Sequence, residues 1–166
     1  PNRKFETGIY DFILFDCNQQ EISQDILSQS VGQTIVLDAG SMKPGTEAFL
    51  QKADIVIASE DFKDASGADL FEMKCDAPHK AVTCGERPIL YNDKELPVSG
   101  VTAVDTLGAG DIFHGAFCYG HFHLGKSVED ALLFAAEVAG ESVKYRGPRE
   151  WIGIKNSSCI SRKCVI

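Results

Sequence analysis

Residues 104–111, Val-Asp-Thr-Leu-Gly-Ala-Gly-Asp, join a glycine-rich turn to an apolar run that continues to Leu124. Apolar side chains in that run recur at steps of four and seven residues, which predicts a helix from Gly110 to about Leu124. The amides of Gly108, Ala109 and Gly110 would lie at its first turn, where backbone N–H groups lack partners within the helix and the dipole is positive. Glycine also lets a bulky anion approach the backbone, so the turn is predicted to bind phosphate.

Asp111 directly follows this turn and allows two interpretations. An acid in a first helical turn commonly does no more than stabilise the positive end of the helix, and position alone favours this role. Beside a bound phosphate, however, a carboxylate repels the ligand unless it takes part in the chemistry. It could then accept the proton of a hydroxyl group that attacks the phosphate.

Composition indicates a globular protein of ordinary size. The 166 residues carry a net charge of −8 and the isoelectric point is about 4.9, which argues against a surface for nucleic acid or anionic membrane. No apolar run approaches the length of a membrane span. Six cysteines occur without a C-x-x-C pair, which favours a reduced, cytoplasmic protein. A chain that begins at Pro1 is expected to be cut from a longer one.

Short apolar segments alternate with helical patterns, which predicts right-handed crossovers and a mostly parallel sheet covered by helices on both faces. We therefore expect one three-layer α/β/α domain over residues 1–155, followed by a polar tail over 156–166. Polar residues at the carboxyl ends of the strands would meet at one edge, where such sheets bind ligands. The predicted strands are Ile9 to Phe15, Thr34 to Leu37, Asp54 to Ala58 and Lys80 to Cys84.

Between and after these strands we expect helices and one antiparallel hairpin. The hairpin would turn at Asn92-Asp93. An uneven helix is predicted from Asp61 to about Lys74, and a long one from Val128 to about Tyr145. The segment Ser127-Val128-Glu129-Asp130 at the start of the long helix resembles a capping box.

The segment Asp-Thr-Leu-Gly-Ala-Gly-Asp-Ile-Phe-His-Gly-Ala-Phe (105–117) resembles a signature of the ribokinase/PfkB carbohydrate kinases, roughly D-T-x-G-A-G-D-x-F-x-x-G. The order of the upstream strands, and Thr83-Cys84-Gly85 in place of T-x-G, are also similar to that family. The resemblance covers about residues 9 to 150 and implies a ribokinase-like fold.

This resemblance implies transfer of the ATP γ-phosphate to the hydroxyl of a sugar or nucleoside, with Mg²⁺ and a monovalent cation such as K⁺. Asp111 would then be the catalytic base, and the amides of Gly108 to Gly110 would form an anion hole. The remaining implied contacts are Thr83, Gly85, Ala136 and Gly140 for the nucleotide, and Asp105 and Gly147 for a monovalent cation.

Two departures from the family bear on metal binding and on catalysis. Ser59-Glu60-Asp61-Phe62 stands where the family commonly has N-x-x-E. Glu60 or Asp61 would therefore have to bind Mg²⁺ from a shifted position. Family members are also about twice as long, which leaves a non-catalytic nucleotide-binding or regulatory module as the alternative. An N-terminal half missing from the sheet would expose a strand edge and favour a homodimer or other self-association.

Overall fold

The computed structural model describes residues 4–153, so the predicted polar tail over 156–166 lies outside the described residues. The strands are β1 (Phe12–Phe15), β2 (Thr34–Ala39), β3 (Ile55–Ser59), β4 (His79–Cys84), β5 (Arg87–Tyr91) and β6 (Lys94–Leu96). The α-helices are α1 (Gln20–Gln29), α2 (Thr46–Leu50), α3 (Ala109–Cys118) and α4 (Val128–Ser142). A 3₁₀ turn (Thr7–Ile9) precedes β1, and a π-helix (Tyr119–His123) follows α3.

The six strands form one sheet in the order β1-β2-β3-β4-β5-β6. β1 to β4 pair in parallel, with Phe12 opposite Thr34, Val36 opposite Ile55, and Ser59 opposite Thr83. Two-residue turns join β4 to β5 and β5 to β6, so the last strands form antiparallel hairpins. The predicted mostly parallel sheet and its hairpin are confirmed.

The described residues fall into two compact units. One contains the residues up to Cys84 together with Leu90–Glu95, and the other contains Gly85–Ile89 together with the residues from Leu96 onward. The core of the first unit lies around the central strands, where Val36, Leu37 and Val56 are fully buried. Their near-continuous apolar sequence reflects a position with cover on both faces of the sheet.

The first strand is shorter than the sequence predicts. Thr7–Ile9 forms a 3₁₀ turn closed by the Tyr10 amide, which donates to the carbonyl oxygen of Thr7 (3.1 Å). Ile9 and Tyr10 are exposed, and only Phe12–Phe15 pairs with β2. The run of aromatic and branched residues thus predicts a strand at the right place, but the run begins before the residues that pair with β2.

The predicted helix from Asp61 to Lys74 is wrong, because the segment forms a series of turns. The Asp64 carboxylate accepts from the amides of Ser66 (2.7 Å) and Ala68 (3.0 Å), and Asp69 accepts from the amide of Phe71 (2.9 Å). Such short polar side chains offer the backbone an alternative to helical hydrogen bonds.

In the second unit, α3 leads through the π-helix to α4 and packs against it. Ser127 caps α4 as predicted, since its Oγ accepts from the Asp130 amide (3.0 Å). The buried apolar side chains of these helices are Phe113, Phe117, Cys118, Val128, Ala131, Leu132, Ala135 and Val138. Within residues 4–153, no helix combines the length and apolarity that a membrane crossing requires.

Candidate functional site: a glycine turn at the start of a helix

The Gly-Ala-Gly turn opens helix α3, as the sequence predicts. Gly108 caps the helix in the left-handed conformation (φ +75°), and its carbonyl oxygen accepts the first helical hydrogen bond from the Ile112 amide (3.0 Å). A side chain is strained at this φ, so the conformation requires glycine. The residue type at 108 is therefore explained by backbone geometry at the predicted phosphate site.

The amides of the turn are not equivalent. The Ala109 amide donates to the carbonyl oxygen of Thr106 (3.1 Å). Within residues 4–153, the amides of Gly108, Gly110 and Asp111 have no such protein acceptor. These three donors at a positive helix end are the ones available to an anion.

Asp111 lies in the first turn of α3 and is exposed to solvent. Its carboxylate is therefore accessible to a small molecule bound at the turn.

Asp105 is a hydrogen-bond acceptor that holds two separate segments together. One carboxylate oxygen accepts from the Leu107 amide (2.9 Å) and the other from the Gly147 amide (2.9 Å), 42 residues further along the chain. The hydrogen bond from Leu107, with that from Gly147 and the charge of Arg146, lowers the pKa of Asp105 below its ordinary value. The pair that the sequence assigns to a cation is thus in direct contact.

His114, within the 105–117 segment, is a supporting residue of the glycine turn. Its ring is buried, and Nδ1 lies 2.8 Å from the carbonyl oxygen of Gly110, which can only accept. Nδ1 therefore carries the proton in this bond. Gly110 and His114 are four residues apart in one predicted helix, and this spacing indicates that they lie on the same face.

The end of α4 contacts the segment that leads into the turn. The Val143 carbonyl oxygen accepts from the amides of Val104 (2.7 Å) and Asp105 (3.1 Å). A Cβ built on Gly140 would lie 3.7 Å from Val101, so this glycine faces that side chain. Ala136 lies one turn earlier on α4 and is half-buried.

The remaining predicted site residues lie at the carboxyl ends of β3 and β4. The Glu60 amide donates to the carbonyl oxygen of Thr83 (3.1 Å), while the Thr83 hydroxyl donates to the carbonyl oxygen of Ala58 (3.2 Å). Gly85 follows in an exposed two-residue turn with φ +64°. Glu60 and Thr83 are thus neighbours, as expected for adjacent parallel strands.

Across residues 4–153, no three carboxylate, histidine or cysteine side chains converge as a set of metal ligands. Glu60 is exposed to solvent directly after β3.

Several solved kinases share this fold. Ribokinase from Thermotoga maritima has a TM-score of 0.72 and 21% identity, covering 91% of this chain and 57% of its own. A Burkholderia thailandensis nucleoside kinase in complex with inosine has a TM-score of 0.67 and 16% identity, covering 88% and 54%. A Vibrio cholerae fructokinase with fructose, ADP and calcium has a TM-score of 0.63 and 20% identity, covering 82% and 56%.

The chain therefore has a ribokinase-like α/β fold and spans a little over half the length of these kinases. None of the curated proteins matches it significantly. Residues 23–152 match the sequence profile of the pfkB family carbohydrate kinases, which includes the whole glycine turn and both long helices. The match covers most of the chain, which belongs to the pfkB family of carbohydrate kinases.

Proposed function

We propose that this chain forms the nucleotide-binding part of an ATP-dependent kinase that phosphorylates a hydroxyl group of a sugar or nucleoside. One observation carries the proposal: an exposed carboxylate, Asp111, lies on the same helical turn as backbone amides that have no acceptor in the described part of the chain. Phosphoryl transfer depends chiefly on positioning and charge stabilisation, and these groups supply both.

In this proposal, Asp111 accepts the proton of the attacking hydroxyl. The amides of Gly108 and Gly110 donate to the oxygens of the transferring phosphoryl group, together with the positive end of α3. Ala109 completes the anion hole if its amide shares its hydrogen between Thr106 and the phosphate. His114 keeps the Gly110 peptide in place through its carbonyl oxygen.

The nucleotide would contact Thr83 and Gly85 at the end of β4, and Ala136 and Gly140 on α4. Mg²⁺, when bound with the phosphates, neutralises their negative charge, and Glu60 is the acid we assign to it. A monovalent cation such as K⁺ would lie at Asp105 and the loop of Gly147. Each carboxylate oxygen there keeps a lone pair beyond the amide bond it already accepts.

The alternative is a nucleotide-binding or regulatory module without catalysis. One observation favours it: Ser59-Glu60-Asp61-Phe62 replaces the N-x-x-E pattern of the family. A protein that binds ATP but turns over no sugar or nucleoside would establish this alternative.

The test of the catalytic proposal is Asp111→Asn in the intact protein, assayed for ATP turnover on a panel of sugars and nucleosides. We expect kcat to fall by about 10²-fold or more, because general-base catalysis contributes about 10² to 10⁴. ATP affinity, measured by calorimetry, should change little, since the amide donors remain.

Asp93→Asn is the matched control, because Asp93 is an exposed acid in the β5–β6 turn. It should leave kcat unchanged. Near-normal turnover in the Asp111→Asn protein would exclude Asp111 as the base.

We also propose a cytoplasmic location. Cys17, Cys75 and Cys118 are free thiols, and burial raises the pKa of Cys118 to about 11. Buried, protonated thiols of this kind suit a reducing compartment.

A further inference from the structure

The turn Arg146 to Trp151 lies directly against the Gly-Ala-Gly turn, and two contacts hold it there. The Gly147 amide donates to Asp105 Oδ2 (2.9 Å). The Pro148 ring lies so near Gly108 that a Cβ built on the glycine would be 3.2 Å from Pro148 Cβ. The left-handed Gly108 is therefore supported from outside by a proline.

The proline is itself held by the next aromatic residue. Trp151 Nε1 donates to the carbonyl oxygen of Pro148 (2.8 Å), and the Ile152 amide donates to that of Arg149 (3.1 Å). Trp151 itself is half-buried, whereas its hydrogen bond to Pro148 is exposed to solvent. The Trp151 side chain thus holds residues 148–151 in a turn and thereby fixes the position of the Pro148 ring.

An anion hole needs this kind of support. Its donors act only if they already point to the place where the charge develops, and small displacements cost rate steeply. Gly108 has no side chain with which to anchor itself, and its own amide lacks an acceptor in the described part of the chain.

We propose that Pro148 and Trp151 are positioning residues for phosphoryl transfer, which hold the Gly108 amide in place through the proline ring. This inference rests on the kinase function proposed above. Neither residue is assigned a contact with substrate or nucleotide; both act through Gly108.

The test compares Trp151→Phe with the wild-type protein. Phenylalanine keeps an aromatic ring but lacks the Nε1 donor. We expect kcat to fall about tenfold while KM for ATP changes by less than about twofold, because alignment is lost rather than binding. Ile152→Ala is the matched control, since Ile152 is the neighbouring side chain and is 62% exposed. It should behave as wild type.

Residue-resolved hydrogen exchange gives a second readout that does not depend on activity. The amides of Ala109 and Gly147 are hydrogen-bonded, so they should exchange about tenfold faster in Trp151→Phe. The amide of Leu132, in the buried part of α4, should keep its wild-type rate. Faster exchange at all three amides would show general destabilisation and overturn the proposal.

The two readouts separate this inference from the proposed function. Absence of turnover in the wild-type protein would reject the kinase function, while hydrogen exchange would still test the support of the turn. Unchanged exchange at Ala109 and Gly147 would overturn the inference whether or not the protein is a kinase. Faster exchange with an unchanged kcat would overturn it as well.

Discussion

Two aspartates six positions apart in one motif, Asp105 and Asp111, have different environments. Asp105 accepts two backbone amides and joins distant segments, whereas Asp111 is exposed at the helix start. The sequence shows two acids beside a glycine turn and cannot reveal which one the backbone surrounds. The environment of Asp105 depends on its hydrogen bond from Gly147, which is a tertiary contact between residues 42 positions apart.

The lowered pKa of Asp105 predicts a pH dependence of stability. A carboxylate whose pKa is lower in the folded state stabilises the fold above its unfolded pKa of about 3.9, and this is lost as pH falls through the folded value. Asp105→Asn should therefore be less stable than wild type at pH 7, and the difference should shrink as the pH falls below about 4. Urea unfolding at pH 7 and pH 3 measures it.

Salt provides the control for this prediction. The first causes of the lowered pKa are the amide bonds, and the charge of Arg146 contributes less. High salt screens exposed charges, so most of the difference at pH 7 should survive in 1 M NaCl. A difference that disappears in salt, or that stays constant between pH 7 and pH 3, would contradict the assignment.

At the level of elements, the sequence predicts one helix from Gly110 to Leu124, but the structure divides it. Helix α3 ends at Cys118 and a π-helix takes over from Tyr119 to His123. Gly120 lies in this segment, close to α4, where a Cβ would be 3.0 Å from Phe134 Cδ1 and 3.5 Å from Ala131 Cβ. The apolar period continues through both segments, so hydrophobic spacing alone could not locate the change.

Replacing a glycine by alanine should have opposite effects on stability at Gly120, which lies close to α4, and at Gly115, which does not. Gly120→Ala should lower the free energy of unfolding by about 1–3 kcal/mol, because the added methyl group overpacks the contact with α4. Gly115→Ala is the matched control within α3, where a Cβ would meet nothing within 4 Å. It should raise stability by about 1 kcal/mol, the difference in helix propensity. Urea unfolding of both variants checks the pair, and a stabilising Gly120→Ala would refute the packing argument.

The other elements show where the local sequence pattern is enough to predict the secondary structure and where it is not. Buried strands such as Thr34–Ala39 are largely apolar, and their order along the chain implies parallel pairing. The segment after β3 has helical spacing, but Asp64 and Asp69 bind nearby amides and form turns instead. The order of the sheet, in which β1 is an edge strand, depends on pairing between strands that no single segment encodes.

For the whole molecule, the exposed edge of the sheet is the feature with the clearest consequence. Among the described strands, β1 pairs with β2 alone. Leu14 on β1 is 39% exposed, and Ile9 and Tyr10 just before it are 71% and 59% exposed. An apolar strand at the edge of a sheet can pair with a second chain.

We therefore expect this chain to self-associate through β1 at high concentration. Leu14→Lys should weaken the association, because a charged side chain on an edge strand disfavours pairing. Leu124→Lys is the control, since Leu124 is also exposed but follows the π-helix. Sedimentation velocity over a range of concentrations checks both, and a protein that stays monomeric throughout would contradict the prediction.

The hydrogen bond between Asp105 and Gly147 also has a consequence for synthesis on the ribosome. The glycine turn and its acid are translated about 40 residues before the segment that supports them. Since a nascent chain folds as its partners emerge, Asp105 lacks one of its two amide donors until Gly147 has left the exit tunnel. The glycine turn is therefore completed only after α4, so a chain released before residue 147 would carry the motif in its primary sequence without its supporting contact.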